Sequence, residues 1–481
     1  MSKTSGLPPV LRRWTGRGLR AIRQVFRRRR ARERAVGDAG EAPAEAAVGH
    51  GRRWLDQLIV VGHAGLVGVL VVGFTLLSEA ASDGFATLRG SSALGPWLML
   101  LWTPALTVAL LWWTRRFARG AGGSGIPQVL KALDDTLEPG RQSALVSLKL
   151  SLHKIVLVSG GMLAGLSIGR EGPTVQVGAG VMASARRWLS RRSRIDAHDL
   201  MVAGAAAGIA AAFNTPLGGI VFALEQLSRR RQVSHSTLVI GSIVLAGMVS
   251  ISVFGNVTYF GRLRVQELTW DLLGPGLLVA VAAGLLGAAF SRLMVAASGL
   301  LPGPLGRWRT SAPLRFAAAC ALLVAVMGLL SNGATAGAGY LPTREMLEGR
   351  EQLPVVFTAM KFVATLLSAW TGVPAGTFAP SLTIGAGIGR DVALLTGLPP
   401  EAAIPLIALG MVGFLAASTQ GPITAFIIVM EMVSGHSMVL SLMACALLAN
   451  GIASLLSRPM YQELADAIGA APGLPPARGP T

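Results

Sequence analysis

Three short stretches share one grammar: a glycine, a proline four residues later, and then an apolar helical pattern. They are Gly123-Ser124-Gly125-Ile126-Pro127, Gly169-Arg170-Glu171-Gly172-Pro173 and Gly376-Thr377-Phe378-Ala379-Pro380. Proline in the first turn after a flexible glycine is a helix-start signature. A helix start carries amide N–H groups that no carbonyl of the same helix can reach. The aligned peptide dipoles place about half a positive charge there. Inside an apolar layer such groups are costly unless something satisfies them. Three of these ends converging would hold an anion without a full cationic side chain, and partial charges let the ion leave again. Taken singly, each motif also reads as a Gly/Pro kink between tightly packed helices; the shared grammar favours the site. Glu171 sharpens the chemistry, because a carboxylate at a helix start is an anion on a tether. Deprotonated, it can take the anion's place; protonated, it is released. By itself Glu171 also reads as a first-turn acid stabilised by the dipole, and Ser124 as a helix cap.

Helices that place such ends must cross an apolar medium, and the composition agrees. Of 481 residues only 14% are charged, against about 25% in soluble domains, while 52% are hydrophobic and mean hydropathy is +0.56. Cys320 and Cys445 lie in apolar stretches and exclude a disulfide scaffold or a cysteine-rich metal site. No HExxH, CxxC, GxSxG or GxxxxGK[ST] pattern occurs, the six histidines are scattered, and the glycine cluster at 385–389 lies inside an apolar helix. An enzyme, a cofactor and a metal are therefore not expected. Apolar stretches at about 58–77, 96–113, 145–168, 237–254, 272–291, 316–331, 353–370 and 437–456 read as spans. Shorter, glycine-interrupted pieces at 171–185, 200–224, 376–389 and 403–433 read as broken helices, and the more polar 332–352 as an exposed loop.

Charge gives an orientation. Residues 1–53 hold 14 Lys/Arg and four acidic residues, +10 of the formal +19, with Arg27-Arg28-Arg29-Arg30 the densest run. A nucleic-acid arm or a transit peptide would look alike, but the apolar chain behind favours a cytoplasmic tail under the positive-inside rule. No nucleic-acid partner is expected. Arginines 186, 187, 191, 192 and 194, and 229–231, read as further cytoplasmic loops. No apolar segment precedes residue 54, so no cleavable signal is expected. The Ala/Pro/Gly-rich tail, residues 468–481, predicts no C-terminal regulatory domain.

The chain also repeats itself. Residues 169–180 (GREGPTVQVGAG) lie over 376–387 (GTFAPSLTIGAG) at an offset of 207, with five identities. Pro216 and Glu225 lie over Pro422 and Glu431 at an offset of 206. Two matches at nearly one offset indicate duplication. Broken helices in matching positions of two halves point to a transporter binding site. The halves are inverted if each has an odd number of spans, a parity the apolar stretches do not settle.

At this point the motifs resemble those of the CLC family of chloride channels and proton/chloride antiporters, in its bacterial form. GSGIP, GREGP and GTFAP look like the family's three selectivity signatures, in order. Tyr461 in Arg458-Pro459-Met460-Tyr461 resembles its pore tyrosine, and Lys154 stands 17 residues before Glu171 as in bacterial members. The resemblance covers roughly residues 55–467. It implies an all-α polytopic membrane fold of two inverted repeats, about 54–260 and 261–467, and a homodimer with one pore per subunit in the cell membrane, for a bacterium the inner membrane. It implies that the Ser124 hydroxyl, the Tyr461 phenol and the amides of Thr377 and Phe378 bind a central chloride. Amides around Arg170, Gly172 and Ala379 would line an outer site, and Glu171 would be the gate. Thr377 replaces a residue that is often aliphatic, but only its amide is needed. Serine at 124 reads as chloride-preferring, since nitrate-preferring members often carry proline there. Transported ions would be chloride and protons.

One departure bears on mechanism. Antiporters of the family often carry a second, inner carboxylate 55 residues after the gate. Here that position is Gln226, which matches glutamate in shape but cannot exchange a proton near neutral pH. Some members lack that carboxylate and still move protons. A passive, pH- or voltage-gated chloride channel thus stands as the alternative to exchange. Glu225, next door, points about 100° away on a regular helix. Among other intramembrane ionisable residues, Glu225 and Glu431 are expected to cap or pair near a membrane face. Lys154 and Lys361 are expected to pair or raise the local potential, and His153 to pack in the core.

Overall fold

The computed structural model describes residues 50–190, 193, 195–228, 236–255, 260, 270–296, 303–350 and 353–470. Most of the basic tail, the arginines at 191, 192, 194 and 229–231, and the chain from 471 onward lie outside them. The chain divides into two units: Met1–Leu58 with Ser190–Ser193, and Ile59–Leu189 with Arg194–Thr481. In the first, Ser190 N donates to Asp56 Oδ1 at 3.1 Å.

Among the described residues every regular element is a helix, apart from one two-residue bridge. The first half holds α1 (His50–Gly90), α2 (Gly95–Phe117), α3 (Ile126–Ala132), α4 (Pro139–Leu145), α5 (Leu148–Leu163), α6 (Glu171–Ser184), α7 (Ala197–Phe213), α8 (Pro216–Phe222), which runs into a π-helical turn Ala223–Leu227, and α9 (Ser236–Phe254). The second holds α10 (Leu273–Ala296), α11 (Gly303–Ser311), α12 (Pro313–Leu330), α13 (Tyr340–Leu347), α14 (Phe357–Trp370), α15 (Phe378–Leu395), α16 (Pro400–Thr419), α17 (Pro422–Val433), α18 (Val439–Leu456) and α19 (Met460–Ala470).

Eight described helices are long and apolar enough to cross a membrane. Three expectations change. The stretch at 353–370 folds as α14, 14 residues and so about 21 Å long, short of the roughly 30 Å hydrocarbon layer. Conversely, the 403–433 piece holds a membrane-length helix, Glu401–Thr419, because Pro405 is accommodated inside it. The 332–352 segment is not simply a loop either: α13 lies within it.

The core is built on small residues. A Cβ on Gly178 of α6 would overlap Gly204 O of α7, and one on Gly385 of α15 would overlap Gly410 O of α16. Glycine at these repeat-related points lets helix backbones touch, the usual device of membrane packing. Large apolar side chains face outward instead: Trp97, Leu98 and Leu101 on α2, Leu440, Leu447 and Leu455 on α18.

Contacts between the halves have the form a local twofold axis requires. Gly169 and Gly376, equivalent in sequence, pair antiparallel: Gly169 N donates to Gly376 O (2.7 Å) and Gly376 N to Gly169 O (3.1 Å). Farther away, Glu225 accepts from Ile423 N (3.1 Å) and Thr424 N (2.7 Å) at the start of α17. Its counterpart Glu431 accepts from Leu217 N (3.3 Å) and Gly218 N (2.8 Å) at the start of α8. Both proline-led helix starts lack a cap of their own, and each half supplies the carboxylate the other needs.

Candidate functional site

The three glycine-rich breaks meet. Ala375 N donates to Gly123 O at 3.2 Å, joining the first to the third, and the Gly169–Gly376 pair joins the second to the third. Between the first and second the approach is closer still. A Cβ on Gly172 would sit 2.5 Å from Ser124 Oγ, and one on Gly125 2.6 Å from Gly172 O. Gly125 also takes φ +107°, a conformation that suits only glycine.

From these breaks α6 begins at Glu171 and α15 at Phe378, behind Arg170 and Thr377, and neither helix has a side-chain cap. The short α3 is closed from within, where Gly125 N donates to Gln128 Oε1 at 2.8 Å. Its contribution is the Ser124 hydroxyl. Ser124 Oγ, Thr377 Oγ1, Tyr461 OH and Glu171 Oε2 are all buried with no hydrogen-bond partner. Buried polar groups are nearly always satisfied. Three orphaned hydroxyl donors beside two uncapped helix starts therefore suit an anion. Ser124, Thr377 and Tyr461 share one cavity of about 290 Å³. A second cavity, about 500 Å³, shares Gly122, Arg309 and Gly372 with it and adds Arg115 and Arg119. Cations along a cleft of this kind raise the local anion concentration.

Glu171 is fully buried. Its Oε1 accepts a hydrogen bond from Tyr340 OH, and a Cβ on Gly169 would overlap its Oε2. Tyr340 opens α13 and is the functional residue that sequence reasoning misses. Its signal is Gly337-Ala338-Gly339-Tyr340-Leu341-Pro342, a fourth break whose proline falls one residue late for the grammar of the other three. The Arg170 guanidinium lies over the Tyr340 ring, 5.6 Å from its centroid, and donates to Glu79 Oε1 (3.0 Å) and Thr75 O (3.2 Å). Arg170 and Tyr340 line a third cavity of about 570 Å³, with Glu79, Asp83, Arg89 and Glu345 at its wall. Glu171 stands between the two sides: its partner Tyr340 lines this cavity, while Ser124, against Gly172, lines the other.

The buried lysines do not pair with one another. Lys154 Nζ donates to Ala121 O and Gly123 O, both at 2.7 Å. Lys361 Nζ donates to Thr335 O (2.9 Å) and Gly337 O (2.8 Å). The lysines are 207 residues apart, and each ties down the break of its own half. His153, expected in the core, is half-buried and bonds Lys149 O of its own helix at 2.9 Å. Its side of α5 carries the exposed Leu152 and Val156. Gln226 is buried in the π-helical turn, with Nε2 unpartnered and packed against Gly421. It does not line the Ser124 cavity.

Residues 105–454 match the protein family described as voltage gated chloride channel. The H(+)/Cl(-) exchange transporter ClcA of Salmonella paratyphi A (strain ATCC 9150 / SARB42) is 29% identical over 387 residues, 76% of this chain and 79% of the relative. ClcA of Salmonella typhi matches to the same extent. A slow cyanobacterial Cl-/H+ antiporter superposes with a TM-score of 0.72 at 22% identity, over 87% of this chain and 98% of that one. A CLC-type fluoride/proton antiporter gives 0.70 at 22%, over 85% and 96%. At such identity the structural likeness speaks for the fold, which is the CLC fold.

Proposed function

Because the chain belongs to the voltage-gated chloride channel family, we propose that it exchanges chloride for protons across a membrane, with Glu171 as the gate that links the two ions. It is a multi-pass membrane transporter rather than an enzyme. The observation that carries the coupling is the position of Glu171. Its carboxylate sits at an uncapped helix start and is bonded to Tyr340, and the next residue, Gly172, lies against the orphaned Ser124 hydroxyl. Released from Tyr340 and ionised, it competes with chloride for the same donors; protonated, it does not. Ser124, Tyr461 and the amides of Thr377 and Phe378 bind the central ion. Amides of Arg170, Gly172 and Ala379 bind one on the Tyr340 side. The exchange activity named for the Salmonella relatives supports this reading.

The arginine-lined cavity and the basic tail belong on the cytoplasmic side by the positive-inside rule. The domain division proposed is a tail over 1–53, two repeats over about 54–260 and 261–467, and a short tail over 468–481. Assembly as a homodimer with one pore per subunit in a bacterial inner membrane belongs to the same reading. A passive channel is the second reading, and Gln226 at the inner position is the observation that favours it.

The test is chloride efflux from liposomes at pH 4.5 and 7.5, with proton movement recorded simultaneously. Glu171→Gln should keep moving chloride, lose proton movement and lose the acid activation of chloride flux. A Glu171→Gln protein that still pumps protons, or responds to pH like wild type, removes Glu171 from the mechanism. Wild-type chloride flux with no coupled protons selects the channel.

A further inference from the structure

The two buried lysines mark an equivalence that the sequence repeat hides. Lys154 Nζ holds the carbonyls of residues 121 and 123, and Lys361 Nζ those of residues 335 and 337. Both pairs of carbonyls lie 214 residues apart, against 207 for the lysines. At that larger offset Gly123 lies over Gly337 and Gly125 over Gly339, and all four take positive φ: +77°, +60°, +107° and +87° in that order. Gly125 precedes the first residue of α3, and Gly339 that of α13. The break carrying Ser124 and the break carrying Tyr340 are thus one structural unit used twice. An inverted repeat puts its two copies on opposite sides of the membrane midplane.

The mate of Ser124 at this offset is Ala338, which brings no donor. Tyr340, two residues on, brings one, and its phenol donates to Glu171 Oε1. The break is held in place from α15, where Thr383 Oγ1 donates to Ala338 O at 3.1 Å. A Cβ on Gly169 would meet Glu171 Oε2, Ala379 and Pro380 together, which puts the carboxylate beside the uncapped start of α15. A phenol, a carboxylate and a helix start therefore meet at one place, and Tyr340 lines the cavity from which an ion would arrive. The charged groups around it are Arg170, paired with Glu79 at 3.0 Å, and Asp83, Arg89 and Glu345 on the same cavity wall.

We propose that Tyr340 is the side-chain donor of an outer halide site, the counterpart of Ser124 in the other half. Its phenol holds the Glu171 carboxylate while the gate is shut, and a chloride ion once the protonated gate has swung away. The proposal rests on the reading of Glu171 as the gate, whether protons are exchanged or only regulate. The phenol keeps its own proton throughout, since tyrosine ionises at about pH 10. A donor that bonds best to an ionised partner opposes that partner's protonation. Tyr340 therefore keeps the gate shut down to a lower pH than the helix start would alone.

The experiment uses Tyr340→Phe, which keeps the ring against Arg170 and changes none of the charges. Chloride efflux from liposomes is followed at several pH values between 4.5 and 7.5. The half-activating pH should rise by about one unit, tenfold in proton concentration. In Glu171→Gln the same substitution should leave the pH profile unchanged, because the carboxylate it acts through is gone. Calorimetric chloride titration of Glu171→Gln, where the outer site is free of the carboxylate, should show affinity about tenfold weaker once Tyr340→Phe is added. Tyr340→Leu serves where Tyr340→Phe does not fold. A folded variant whose half-activating pH is unmoved refutes the proposal, as does chloride affinity in Glu171→Gln that Tyr340→Phe does not change. A pH shift that persists in Glu171→Gln with Tyr340→Phe refutes it too, because it marks a structural effect. Acid activation that survives in Glu171→Gln alone refutes the gate reading, and the proposal with it.

Discussion

Replacing Ser124 by alanine and Tyr461 by phenylalanine removes two oxygens and almost no volume. Both oxygens are buried without a well-formed hydrogen bond inside the chain, so little internal hydrogen bonding is lost. In chloride-free buffer the double variant should be as stable as wild type or more so, since an unsatisfied buried hydroxyl is a cost to the fold. With chloride the effect reverses. Each hydrogen bond to a charged partner contributes about 1.5–3 kcal/mol. The two donors share one ion and couple, so their losses do not simply add, and the uncapped starts of α6 and α15 remain. A combined loss of about 1.5–3 kcal/mol corresponds to roughly 10- to 100-fold weaker binding. Calorimetric titration of chloride into detergent-solubilised protein reads the affinity directly. Thermal unfolding across a chloride series reads it again, because a bound ion stabilises by RT times the logarithm of one plus its concentration divided by Kd. Chloride affinity unchanged within error, with wild-type folding, would show that the hydroxyls do not face the ion.

Other consequences concern the frame of the site. Gly169→Ala should prevent folding or abolish flux, since its Cβ would overlap Glu171 and press on Ala379 and Pro380; Gly62→Ala, with no atom within 4 Å of its Cβ, should be neutral or stabilising by up to about 1 kcal/mol. Size-exclusion profiles and melting curves of the two variants check this. Glu431→Ala should destabilise by about 2–4 kcal/mol, as it strips two charge-assisted bonds from the start of α8, and Glu431→Gln by less; equal melting temperatures for all three proteins would dismiss the cap. Lys154→Met leaves the carbonyls of Ala121 and Gly123 without their donor and should weaken chloride binding by loosening the loop that carries Ser124. Wild-type affinity in a stably folded Lys154→Met protein would contradict that.

The helix breaks are legible in sequence because glycine and proline act through local backbone geometry, and Glu171 is legible because it sits inside one. Tyr340 escapes for the converse reason. Its segment carries Thr343, Arg344, Glu345 and Glu348, a composition that reads as exposed, and the late proline hides its kinship with Gly123–Pro127. The offset between Glu225 and Glu431 announces equivalence, and capping is one of the two roles it suggests. That each crosses to the other's helix is tertiary information that periodicity does not carry. Helix lengths misread the 353–370 stretch because α14 packs inside protein rather than against lipid. Burial of Phe357, Lys361, Ala364 and Thr365 lets a helix shorter than the bilayer remain within it.

The crossed carboxylates also set an order of events during synthesis. When the first half has left the ribosome, the amides of Leu217 and Gly218 await an oxygen on residue 431, and the amide and carbonyl of Gly169 await those of Gly376. None of these groups can be satisfied by its intended partner until about two hundred further residues have been made and inserted. The nascent first half must therefore stay in a protected environment, at the translocon or among interfacial water, and cannot settle into lipid as a finished module. Conversely, the two halves expressed as separate chains in one cell carry every complementary group needed to find each other.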